Sequence, residues 1–365
     1  MNRLLNKYAT LLIDYCLEIE KGEKLFVKTT SLAQPLLREV CRMAIRRGAH
    51  VDYDMSMEDM SRIFYSEAQD HQLEYVSPLY KMIIEEYDAF LVIRAPFNLR
   101  EDQNIDPEKM KKKSRAHKGI NETYFERTAT RQLKRSLCQY PTSAAAQEAG
   151  MSLEEYSQFV YNACHLFDDD PQESWLKVRK DQQRIVDYLN NVEQVKYKGP
   201  HIDVSFSVKG RTWINSDGRN NMPSGEVFSA PVEDTVNGRV QFSYPCVYRG
   251  KDVKGVTLEI KDGLVVAWDA EQGKDTLDQI FDIDGARRFG EVAIGTNYNI
   301  QRSTKNILFD EKIGGTVHMA IGQSYKQCGG QNSSTIHWDM ITDMKDGGEV
   351  IADDKTIYRN GEFLI

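Results

Sequence analysis

The sequence predicts an α/β amino-terminal domain built on a doubly wound, mostly parallel sheet, followed by a mixed α+β, strand-rich carboxy-terminal domain. Three observations carry that expectation. Helical apolar spacing alternates with short apolar runs through roughly the first half of the chain. From Val195 onward the pattern changes to short alternating strands punctuated by turn residues. Carboxylates and imidazoles then recur among those later strands at positions where alternation sends them to one side. At 365 residues the chain exceeds an ordinary single domain. We therefore expect residues 1–190 to form the α/β domain with a helical extension and 191–365 to form the strand-rich domain.

The elements follow in order. Leu4, Leu5, Tyr8, Leu11, Leu12, Tyr15, Cys16 and Ile19 keep helical spacing, and Gly22 offers a left-handed stop before the strand Lys24–Lys28. Pro35 opens a second helix whose apolar face is Leu36, Leu37, Val40, Cys41, Ala44 and Ile45, and Gly48 ends it before a strand over His50–Tyr53. A further helical stretch precedes Ala89–Ile93, a continuous apolar run of the kind a parallel sheet covers on both faces. Pro141 to about Asn190 reads as helical, through Leu153, Tyr156, Phe159 and Val160 and then Trp175, Leu176, Val178, Ile185 and Leu189. His165 and Asp168 to Asp170 fall between those helices and read as a solvated loop. Ile202–Val208 alternates as a strand, Asn215 to Gly218 is turn-rich, and Lys261-Asp262-Gly263 reads as a hairpin turn.

Composition narrows the functional classes. A net charge of −8 argues against nucleic acid and anionic membranes as partners, since both demand a basic surface. Lys111-Lys112-Lys113, the one basic run, reads as a solvated turn or helix end. No Gly-x-Gly-x-x-Gly or Gly-Lys-Ser/Thr motif follows a strand, so nucleotide binding has no support. The six cysteines lack a Cys-x-x-Cys pair and read as reduced thiols. The amino terminus lacks the apolar core of a secretory signal, and no apolar stretch approaches membrane-spanning length, so a cytoplasmic location is expected.

Chemistry concentrates in the later half. In Thr335-Ile336-His337-Trp338-Asp339-Met340, His337 and Asp339 share one face while Ile336, Trp338 and Met340 share the other. His318 stands similarly against Val317, Met319 and Ile321, and Glu291 against its flanking apolar positions; Glu226 and Tyr325 complete the candidates. A lone strand histidine is more often an ordinary hydrogen-bonded residue. Three carboxylates and two imidazoles flanked by apolar residues are costly to bury unless they pair with one another or bind cations. One catalytic zinc needs about three protein ligands, so the set suits two divalent ions roughly 3.5 to 4 Å apart with a shared carboxylate. Ligand identity alone does not select among zinc, cobalt, manganese and magnesium, because carboxylate-rich sites with imidazole accept several of them; zinc or cobalt is the expectation, with manganese or magnesium also compatible. Metal-assisted hydrolysis is the reaction class that follows.

Asn221-Met222-Pro223-Ser224-Gly225-Glu226-Val227-Phe228, Gly290-Glu291-Val292-Ala293, His318-Met319-Ala320-Ile321-Gly322, Tyr325 and Asn332 to Met340 together resemble the thermophilic-aminopeptidase family of metallopeptidases, aminopeptidase T or M29. Lys21-Gly22-Glu23-Lys24, Arg47-Gly48-Ala49, Tyr140-Pro141-Thr142 with Ala146 to Gly150, and Lys209-Gly210-Arg211 extend the likeness along most of the chain, in order. The resemblance implies that Glu226, Glu291, His318, His337 and Asp339 ligate two metal ions, with Tyr325 as a ligand or polarising hydroxyl. It implies Glu311 as a further ligand or general base, because a similar Phe-Asp-Glu segment precedes the family's histidine. It also implies a homodimer with its site in an internal cavity, acting on peptides with a free amino terminus. Two segments depart from the pattern: Phe309 to Val317 is slightly longer than usual, and Tyr325 to His337 is shorter.

Two other readings stay open. His318, His337 and Asp339 alone would satisfy the two-histidine, one-carboxylate pattern of a mononuclear non-haem iron enzyme, and a ring-cleaving dihydroxypyridine dioxygenase group is similar in fold. Glu226 and Glu291 weigh against it. The third reading is a catalytically inactive metal-binding relative.

Overall fold

The computed structural model describes residues 2–248 and 250–365, and the chain segments sort into two units. One comprises Met1–Gln172 with Gly218–Pro223, the other Glu173–Asp217 with Ser224–Ile365.

In the first unit the apolar runs become a five-stranded, all-parallel sheet. From edge to edge its strands are His50–Ser56, Lys24–Thr30, Ala89–Arg94, Lys134–Gln139 and Asn221–Met222. Phe26 and Phe90, with rings 5.5 Å apart, pack against Ile83, Ile84 and Ile120 on one face. Leu25, Val27 and Leu91 have the opposite parity, and each is fully buried, so the central strands are covered on both sides as their continuous apolar character requires. Gly22 and Gly48 adopt φ of +87° and +84°, the left-handed stops expected of them.

Several details differ from the sequence expectation. The first helix is α-helical only over Asn2–Thr10 and continues as a π-turn through Leu11–Cys16. Ile45, placed by spacing on the buried face of Gln34–Arg46, is 64% exposed. The strand begun at His50 runs on to Ser56 and lies at the sheet edge. Lys111-Lys112-Lys113 lies inside the helix Pro107–Ala116, not at a turn, and Lys113 sits 4.1 Å from the Phe64 ring centre. His165 does lie in a loop, where its Nδ1 is 2.9 Å from Asp168.

The second unit is a strand-rich stack. An eight-stranded sheet runs in the order Leu264–Asp269, Thr257–Lys261, Asn237–Gln241, Ile202–Ser207, Gln194–Gly199, Glu349–Ala352, Lys355–Arg359, Glu362–Phe363. A five-stranded antiparallel sheet runs His337–Asp343, Thr316–Gly322, Phe289–Gly295, Glu226–Ser229, Ile214–Ser216. Tyr197, Val204, Phe206, Val240 and Leu258 of the first sheet share one apolar cluster with Val227, Val292, Ile294, Val317, Met319 and Met340 of the second. The helix Pro171–Leu189 contributes Ile185, Val186 and Leu189 to that core, and Lys274–Phe281 contributes Leu277, Ile280 and Phe281. Asp262 and Gly263, at φ +50° and +75°, make the expected hairpin turn. Asn215 and Ser216 instead pair in an edge strand, and the bend follows at Gly218. Among the described residues no helix is long and apolar enough to cross a membrane, and all six cysteines are free thiols.

Candidate metal centre

Alternation alone decides which residues of the five-stranded sheet meet. Val227, Val292, Ile294, Val317, Met319, Trp338 and Met340 point into the core. Glu226, Glu291, His318, His337 and Asp339 therefore emerge on the other face. Cross-strand register sets what lies beside each one. Glu226 is paired with Gly295, Glu291 and Asp339 both with Ala320, His318 with Ala293, and His337 with Gly322. Every ligand-type residue thus has a glycine or alanine opposite on one neighbouring strand, although Ile341 and Ser216 flank His318 and Glu226 on the other, and these small neighbours let the polar tips approach one another.

The tips form two sets. One ligand atom each from Glu226, Glu291 and His318, and likewise from Glu291, His337 and Asp339, lie within 4.8 Å of one another, with Glu291 common to both. His318 Nε2 is 3.5 Å from Glu226 Oε2 and 3.6 Å from Glu291 Oε1. His337 Nε2 is 2.9 Å from Glu291 Oε2 and 3.5 Å from Asp339 Oδ1. His337 Nδ1 meets the Gln323 carbonyl at 2.8 Å, which as a donor contact fixes the ring and turns Nε2 toward the carboxylates. The Tyr325 ring stands 5.0 Å from the His337 ring and 5.4 Å from Phe228, beside the sets.

The loop between the strands supplies two more charges. Asp310, buried, accepts from Ser303 Oγ, from Thr304 through both its backbone N–H and its hydroxyl, and from the Lys305 N–H, which braces the approach to Glu311. Glu311 pairs with the Lys312 ammonium, and that fully buried ammonium is 3.5 Å from Glu226 Oε1. Glu311 is thus linked to Glu226 through Lys312.

The electrostatics are those of crowded carboxylates. Burial opposes ionising Asp339, yet His337 beside it, aided by His318 and Lys312, holds its carboxyl at about 2. Burial likewise acts on Glu291, but His318 and His337 outweigh it and keep the carboxyl below its usual range. For His318 burial would expel the proton, while Glu291, Glu226 and Asp339 raise the imidazole to about 9. Asp339 and Glu291 similarly raise His337 well above its ordinary value against the effect of burial. Glu311 is lifted to about 8 by burial, against the pull of Lys312 and with help from Glu226 and Asp339.

These donors fit divalent cations. Glu226 Oε2, both His318 ring nitrogens and Asp339 Oδ1 are buried without a hydrogen-bond partner, and cations would offset that expense at Glu226 Oε2, His318 Nε2 and Asp339 Oδ1. The mixture of carboxylate and imidazole is what zinc-like ions accept.

Sequence inspection missed four contributors. Lys312 sits in the charged, glycine-flanked run Asp310-Glu311-Lys312-Ile313-Gly314, which reads as solvent-exposed. Gln323 acts through its carbonyl, which any residue would supply. Buried Gln182, far off in sequence, donates to the Glu226 and Ser216 carbonyls at 3.2 and 3.1 Å and accepts from Thr296. Asn297 donates from its side chain to the Ser224 carbonyl at 2.9 Å. None of the four carries a local signal, because each acts through tertiary contact.

The profile of the thermophilic metalloprotease family (M29) matches residues 1–363. The chain is 32% identical over 349 residues to Aminopeptidase 2 of Geobacillus stearothermophilus, covering 88% of this chain and 84% of that protein. It is 26% identical over 353 residues to Aminopeptidase T of Thermus thermophilus, covering 89% and 86%. Among solved structures it is similar in fold to wild-type AmpT from Thermus thermophilus, with a TM-score of 0.85 at 24% identity over 100% of this chain and 99% of that one. It is also similar in fold, at a TM-score of 0.57 and 12% identity, to a 2,5-dihydroxypyridine dioxygenase from Pseudomonas putida, over 100% and 96% of the two chains.

Proposed function

The chain belongs to the thermophilic metalloprotease family (M29), and from that premise we propose that it is an aminopeptidase releasing amino-terminal residues from peptides at a two-metal site. The observation that supports this most directly is Glu291, the carboxylate common to both ligand sets, as a bridging ligand would be. Glu226 and His318 complete one set, and His337 and Asp339 the other. Divalent ions held there, zinc or cobalt first, would polarise the scissile carbonyl and lower the pKa of a bound water.

The remaining work falls to the chain. The His337–Gln323 contact keeps the ring oriented, and the alanines and glycines between the ligands leave space for a substrate's leading residue. The acidic surroundings of Glu226, Glu291, Asp339 and Glu311 favour a protonated amino terminus over a blocked one. Glu311, at about 8 without ions, is brought lower by added positive charge into the range where a carboxylate can accept and return a proton. Tyr325, whose ring stands 5.0 Å from that of His337, would donate a hydrogen bond to the reacting group in this reading. We include a homodimer in this reading; its support is the family resemblance.

The rival iron dioxygenase needs His318, His337 and Asp339 around one ion. The two histidines fall in different sets, which weighs against it. Metal analysis joined to a screen of dipeptides and their amino-acetylated counterparts tests the proposal. We expect two ions per chain and hydrolysis of free-amino peptides alone. One iron with oxygen consumption would support the dioxygenase, and two ions without released amino acids would support an inactive relative.

A further inference from the structure

Lys312 has no part in the reaction as described, yet its side chain is fully buried at the site's edge. Its ammonium contacts Glu311 and lies 3.5 Å from Glu226 Oε1. Glu226 Oε2, the other oxygen, has no hydrogen-bond partner and faces His318 Nε2 at 3.5 Å. The two oxygens of one carboxylate are thus divided between a resident cation and the ligand set.

The backbone makes that division durable. The Lys312 carbonyl accepts from the Asn297 N–H at 2.9 Å, and the Asn297 side chain donates to the Ser224 carbonyl at 2.9 Å, two residues before Glu226. Lysine and glutamate are therefore anchored to the same residue, and the ammonium has no solvent to swing into. The other set differs. Among the described residues no lysine or arginine lies within ion-pair distance of Glu291 or Asp339, Asp339 Oδ1 faces His337 Nε2 at 3.5 Å without a hydrogen bond, and His337 is already oriented by Gln323.

We propose that Lys312 makes the two ion sites unequal: by occupying Glu226 Oε1 it limits that carboxylate to one ligand oxygen and opposes nearby positive charge, so the ion in the Glu226–Glu291–His318 set is the weaker and exchangeable one. The proposal rests on the two-ion reading above. It makes Lys312 a positioning residue whose charge sets the spacing between two affinities.

Titration of ion-free protein with Co(II), followed by calorimetry and visible absorption, tests it. The full-length wild type shows two binding steps, of which Glu226→Gln removes the weaker and Asp339→Asn the tighter. Lys312→Met tightens the weaker step by at least about tenfold, a floor set well under the roughly thousandfold that a unit charge about 4 Å away would exert at an effective dielectric of about 20. Lys312→Arg keeps the wild-type gap. A purely structural role predicts the reverse, because a disturbed site binds less well, so a weakened or unchanged step in folded Lys312→Met overturns the inference. Should that variant fail to fold, the step assignment decides, and loss of the tighter step in Glu226→Gln overturns it. Wild type that binds no Co(II) sinks both this inference and the proposed function. Two steps insensitive to Lys312, in protein that still cleaves peptides, sink this inference alone.

Discussion

Loading the site with metal should expel protons, and the structure sets how many. An imidazole must be neutral to ligate, yet in the ion-free protein the carboxylates keep both rings charged. His318 titrates at about 9, so at pH 7.5 it is roughly 97% protonated and gives up about one proton when an ion arrives. His337, raised well above its ordinary value by Asp339 and Glu291, adds to that release. Glu311, at about 8, is roughly three-quarters protonated at that pH and adds part of a third. The expected total is more than about one and a half and at most about three protons per chain on filling both sets. Calorimetry of zinc binding at pH 7.5, in weakly chelating buffers of different protonation enthalpy, reads the number as a slope. At pH 9.5 His318 contributes only about a quarter of a proton and the slope falls. A slope below about one at pH 7.5 would refute the reasoning, since the imidazoles would already be neutral and the carboxylates could not be gathered as described.

Three further outcomes follow. Glu291→Gln removes the carboxylate shared by both sets, so both ions are lost and peptide turnover falls by more than about a hundredfold, the upper range seen for mere outer-shell partners; metal content and turnover measured on the same sample check it, and a variant that keeps two ions contradicts the shared role. Gly225→Ala forces a residue with φ of +114° to place a Cβ 2.7 Å from that of Asn297, costing about 1–3 kcal/mol, read as a lowered thermal midpoint together with weaker ion binding as the Glu226 turn shifts. In chelator-treated protein, the raised His318 pKa contributes about 3 kcal/mol of stability that is complete below pH 6.5 and disappears as pH climbs through about 9, while the lowered Asp339 pKa contributes stability that is present above pH 3.8 and lost as pH falls toward 2. Urea midpoints that rise between pH 6.5 and 9 would contradict that sign.

The sheet face was legible in the sequence because its physics is local. A period of two sorts His337 and Asp339 from Trp338 and Met340 without reference to the rest of the chain, and the same holds for His318 and Glu291. The first unit's parallel sheet was legible through Ala89–Ile93, whose unbroken apolar run has few alternatives. What stayed hidden depends on distant contacts. Lys312 reads as a surface lysine until Glu226, from a strand about ninety positions earlier, is brought beside it. Ile45 has the spacing of a core residue, but nothing local reveals that its flank of the helix lies open. Lys113 sits in a basic run with no aromatic neighbour in sequence, and Phe64 and Tyr65 reach it only through the fold.

The five converging donors are spread over four strands of one sheet, from Glu226 to Asp339, and the pairing that completes it joins Thr316–Gly322 to His337–Asp343. A growing chain therefore holds its carboxylates and imidazoles apart until residues through Asp343 are free to pair, so the donors cannot gather before the last strand of their sheet is in place. Neither donor set can form from one segment of chain alone, since each draws on at least two strands far apart in sequence.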